Sequence, residues 1–129
     1  MINMSYPYAE LIPLYQRIRD LRYKLYGPLV HTSNVTHHPL FMVAAHMIRE
    51  VMELTEFHDW KGEASIGLYW NFHKAVTFAD DIVWLMEAAE FYISQDYVRE
   101  DLELARELRT ALSEFVHTIN RIEAERGEI

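Results

Sequence analysis

Glu50 and Glu53 stand three residues apart in the run EVMELTEFHDWKGE, so on a helix both carboxylates leave the same side. Adjacent like charges repel unless a cation lies between them. Asp80 and Asp81 interrupt the apolar run VTFADDIVWLM, and a carboxylate buried in an apolar helix needs a partner. His73 and Thr77 precede Asp80 by seven and three residues, on its side of that helix. Two antiparallel helices about 8–10 Å apart bring Glu50, Glu53 and Asp80 within reach of one hard cation. Oxygen ligands with an incomplete shell suit Mg2+ or Mn2+, with phosphate oxygens in the remaining positions. The plainer reading is that an acid pair on an exposed helix is a solvated face. Asp80 is what weighs against it.

Four helical segments must position these groups. Apolar residues recur at steps of three and four in about Tyr8–Tyr26, with Leu11, Leu14, Ile18, Leu21 and Leu25. The run GPLVHTSNVTHHP then reads as a break, through Gly27, Pro28 and the Ser33-Asn34 pair. A second helix is expected over about Pro39–His58, with Leu40, Ala44, Met47, Val51 and Leu54 on its apolar side and Pro39 in its first turn. DWKGEASIGLYW reads as a loop. The third helix covers about Asn71–Ile93, with Val76, Ala79, Val83, Met86 and Phe91 as its stripe. The fourth covers about Tyr97–Glu125, with Leu102, Ala105, Leu108, Leu112, Phe115, Ile119 and Ile122. The expected architecture is an all-α four-helix bundle spanning residues 1–129 as one domain.

The 129 residues are enough for a core, half of them being hydrophobic. A net charge of −8 argues against nucleic acid or an anionic membrane as the main partner. No cysteine is present, so disulfides, thiol nucleophiles and thiolate metal sites are excluded. No apolar run reaches the roughly 20 residues of a bilayer span. The expectation is a soluble, cytoplasmic protein.

EVMELTEFHDWKGE resembles the signature segment of the all-α nucleotide pyrophosphatases, the MazG-like group with dCTP pyrophosphatase and the dimeric dUTPases. That pattern is Glu-x-x-Glu on one helix, Trp-Lys in the loop and Glu-x-x-Asp on the next helix. Glu50 and Glu53 match the first pair, Trp60 and Lys61 the loop, and Asp80 the last aspartate. Trp84 falls where an aromatic lies near the base, and the His38 region (HHP) and Asn120 (INR) are also similar. The resemblance is close over about residues 37–90. Thr77 departs from it, occupying the third acidic position, where His73 or Asp81 could substitute as ligand. The resemblance implies Mg2+-dependent cleavage of a nucleoside triphosphate to monophosphate and pyrophosphate. Glu50 or Glu53 would activate water, Lys61 would meet phosphate, and Trp60 and Trp84 would meet the base. It also implies a homodimer or homotetramer.

Two other readings stay open. His38, His58-Asp59 and Asp80 resemble the ligand order of the HD-domain deoxynucleotide phosphohydrolases. A continuous second helix would hold His38 and His58 roughly 30 Å apart, so that reading needs a break near Met52. His31, His37, His46 and His117 build no ligand set by spacing, and His46 with Glu50 reads as an ordinary hydrogen bond. The remaining reading is a non-enzymatic acidic helical module that binds protein.

Overall fold

The computed structural model describes residues 8–56, 66–92 and 96–125. These form α1 (Leu11–Thr36), α2 (Pro39–Leu54), α3 (Ile66–Tyr92) and α4 (Asp96–Glu125), with no strand among the described residues. Each helix packs on the next, and α4 closes on α1, so α1 faces α3 and α2 faces α4 only across the diagonals. Ion pairs show the directions. Glu87 meets Arg106 at 3.6 Å and Glu90 meets Arg99 at 3.5 Å, so α3 and α4 run antiparallel. The all-α four-helix arrangement expected from the periodicity is present.

The core follows the apolar stripes. Ile18, Leu25 and Leu29 of α1, Phe41 and Ile48 of α2, Phe72, Ile82 and Met86 of α3, and Leu108, Leu112 and Phe115 of α4 are all fully buried. Phe72 and Phe115 stack with ring centroids 4.0 Å apart, joining α3 to α4 at the centre. On α4 every residue of the expected stripe is buried. The stripe of α2 is rotated from expectation. Phe41, Ala44, Ala45, Ile48 and Val51 face inward, while Leu40, Met47 and Leu54 are half-buried on a flank.

The expected break at Gly27-Pro28 is absent. α1 runs ten residues beyond Tyr26, with Pro28 inside it. An interior proline costs about 3 kcal/mol. Burying Leu25 and Leu29 returns roughly 1.5–3 kcal/mol each, and Thr32 is buried one turn further on. Tertiary packing therefore carries the helix through a sequence that locally reads as a stop. The chain turns instead at His37-His38. His37 takes the left-handed conformation, φ 52°, and its N–H donates to the Ser33 carbonyl at 3.0 Å. His38 is extended and caps α2, its Nδ1 accepting the Leu40 N–H at 3.2 Å. Pro39 follows as the first helical residue.

Candidate functional site

Glu50 and Glu53 leave α2 on the side away from the core. At 100° per residue they stand about 200° and 140° round the axis from the buried Ile48. Glu50 is half-buried and lies 3.8 Å from His46, and Glu53 is exposed. Asp80 turns the other way. Its carboxylate lies 3.7 Å from Arg109 of α4, on the same flank as the Glu87–Arg106 pair. Helix α2 does not touch α4, so the chain by itself turns Asp80 away from the glutamate pair. Among the described residues no three His, Asp or Glu gather where a metal ion could be held. The described residues of a single chain therefore do not gather the expected Mg2+ or Mn2+ ligands around one point, and Asp80 pairs with Arg109 instead.

The other expected residues are dispersed. His73 and Asp81 are exposed on α3. Trp84 lies outside the core, standing 69% exposed on the outer side of α3. His38 has a structural role as the cap of α2, packed edge-on against Phe41. His58, Asp59, Trp60 and Lys61 lie outside the described residues. Helix α2 runs unbroken from Pro39 only to Leu54, with Thr55 as its C-cap. It ends short of the expected His58, so the continuous rod that set His38 and His58 roughly 30 Å apart is not formed.

Two of the expected residues, assigned to different roles, do come together. His73 and Asn120 line a groove of about 230 Å³ between α3 and α4, with Tyr69, Thr77, Ser113 and His117 around them. His73 packs against Trp70 with centroids 5.6 Å apart and against Tyr69 at 5.9 Å. With Val76 and Val116, the groove residues form a recess of mixed polar and apolar lining, to which no carboxylate among the described residues contributes.

Three features escaped the sequence reading. Trp70, 53% exposed, shares the outer stripe of α3 with Trp84; the seven-residue step from Trp70 through Thr77 to Trp84 was its available signal. Arg22 is fully buried. Its guanidinium donates to Thr55 Oγ1 at 2.6 Å, to the Met52 carbonyl at 3.3 Å and to Glu56, closing the C-terminal end of α2. An arginine directly after Leu21 on the buried stripe was the clue. The third is Asp101, 5% exposed on α4, whose Oδ2 has no hydrogen-bond partner among the described residues. Burial pushes its carboxyl up to about 6, with repulsion from Glu100 adding to the effect. It was hidden in the acidic run of α4, which reads as a solvated face.

No family model matches the chain, and no curated protein or solved structure matches it either.

Proposed function

We propose that this protein is a self-associating helical module, and that the outer face of α3 is where a second copy binds. The observation that carries this is a self-complementary run centred on Thr77. Trp70 and Trp84 lie seven residues to either side, and both are exposed. His73 and Lys74 lie on one side of Thr77 at distances matched by Asp81 and Asp80 on the other. The inner side of α3 is filled by the core, so its tryptophans make it apolar on opposite faces, a pattern of helices covered on both sides.

Suppose two α3 helices cross antiparallel with a two-fold axis at Thr77. Each flank then meets the same flank of the partner. Trp70 meets the partner's Trp84, His73 the partner's Asp80, and Lys74 the partner's Asp81. Every one of these contacts occurs twice. Thr77, the smallest side chain of the stripe, sits at the crossing, where axes approach to about 8–10 Å. A parallel pairing would instead set Asp80 and Asp81 against themselves. The exposed surface of four tryptophans amounts to roughly 600 Å² of the about 1,200–2,000 Å² in a stable interface, and the flanking residues of α3 extend it.

Sedimentation or light scattering tests this directly. The wild type should be dimeric. Lys74→Asp should dissociate it by opposing two acids, and Lys74→Asp combined with Asp81→Lys should restore the dimer. A wild type that stays monomeric at high concentration, or a double variant no better than the single one, removes the proposal.

A second reading, the Mg2+-dependent nucleoside triphosphate pyrophosphatase, is favoured by the placing of half-buried Glu50 and exposed Glu53 on the outer side of α2 together with the resemblance of their segment. It requires ligands from a second copy or from residues of this chain outside the described ones. The two readings compete for Asp80. Pyrophosphate release from the four deoxynucleoside triphosphates with Mg2+ decides it: turnover lost in Glu53→Gln supports the enzyme, and no release with no thermal shift ends it.

A further inference from the structure

We propose that the cavity between the C-terminal half of α1 and the first turns of α4 binds a small organic ammonium ion, with Asp101 as its counter-ion. The cavity measures about 430 Å³, within the roughly 300–1,000 Å³ of small-molecule sites. Asp101 forms part of its α4 wall while only 5% exposed, and its Oδ2 accepts no hydrogen bond among the described residues. A buried acceptor left unpaired bears the desolvation penalty of the group without compensation. A donor arriving from the cavity would relieve it.

The rest of the wall selects the kind of donor. Glu100 stands beside Asp101, His31 faces them from α1, and no lysine or arginine among the described residues contributes. Two carboxylates against one imidazole favour a cation. Pro28 and Val35 supply apolar surface for a carbon chain. A bare metal ion is a poorer fit, because no three His, Asp or Glu among the described residues are placed to hold one. A quaternary ammonium would offer Asp101 no N–H, and no Phe, Trp or Tyr among the described residues lines the cavity for it to stack on. A primary or secondary alkylammonium satisfies both the orphaned oxygen and the apolar wall. Burial and Glu100 together raise the Asp101 carboxyl to about 6, and a bound ammonium opposes both effects. The site draws only on α1 and α4, so it is independent of the α3 face.

Titration with n-pentylammonium and with neutral pentan-1-ol tests this, read by thermal shift and amide NMR. Wild-type Tm should climb with the logarithm of ammonium concentration, with NMR shifts gathered at Thr32, Val35 and Asp101, while the alcohol has little effect. Asp101→Asn should weaken binding about tenfold or more, the loss expected for a charged hydrogen bond. Val35→Trp, at an exposed position on the rim, should block the cavity without disturbing the core, and it carries the test if Asp101→Asn does not fold. Equal responses to ammonium and alcohol, equal affinity in wild type and both variants, or no response at all would overturn the assignment.

Discussion

Asp101 is a carboxyl whose burial has a thermodynamic signature. Its folded value of about 6 lies above the ordinary 3.8, so the folded chain holds this proton to higher pH than the unfolded chain does. The favourable contribution is complete below about pH 3.8 and is lost as pH rises through 6, leaving the native state penalised at neutrality. A displacement of this size corresponds to at most about 3 kcal/mol. Asp101→Asn should therefore unfold at higher urea than wild type at pH 7, and the gap should close by pH 4. A gap independent of pH would mean that the carboxyl is hydrated in the native state. Arg22 is the opposite case, a buried charge whose hydrogen bonds are mostly met by Thr55, Met52 and Glu56, so its cost is largely offset within the fold. Neither residue's type announces this. Burial does.

Among the elements, α1 shows how far packing overrides local preference. Gly27 and Pro28 together read as a stop, yet the helix continues for two further turns because Leu29 is held in the core and Thr32 is buried beyond it. Gly27 is helical, and a Cβ built there would meet nothing within 4 Å. Gly27→Ala should consequently stabilise the protein by roughly 0.5–1 kcal/mol, through lost freedom of the unfolded chain and better helix propensity. Chemical denaturation checks it, and a loss of stability would mean that α1 is not helical at that position. Helix α2 behaves more simply. Its start was legible from His38-Pro39, where a capping acceptor and a proline coincide. The acids it carries were legible too, but as a pair on one side of a rod and no more.

For the whole molecule, the proposed pairing through α3 makes stability depend on concentration. Association contributes to the native state in proportion to the logarithm of protein concentration, so wild-type Tm should rise on concentrating the sample while that of Lys74→Asp stays flat. A flat wild-type curve would mean that α3 is not paired in solution. Assembly also governs the fate of the acids on α2, since no described residue of the same chain completes a ligand set with Glu50 and Glu53. No helix among the described residues is long and apolar enough to cross a membrane, so the exposed tryptophans of α3 are not part of a span.

The spacing of apolar residues was sufficient for four helices, for most of their inward faces and for the neighbourhood of α2 and α3. It also placed Glu50 beside Glu53, because a helix of known pitch fixes the angle between residues on its own surface. It could not say which neighbour each flank would meet. That depends on the order and handedness of the bundle, which turned Asp80 to Arg109 on α4, left Trp70 and Trp84 outside and enclosed Asp101 against α1. Periodicity describes each helix about its own axis. Contacts between helices arise only when four such axes are packed together.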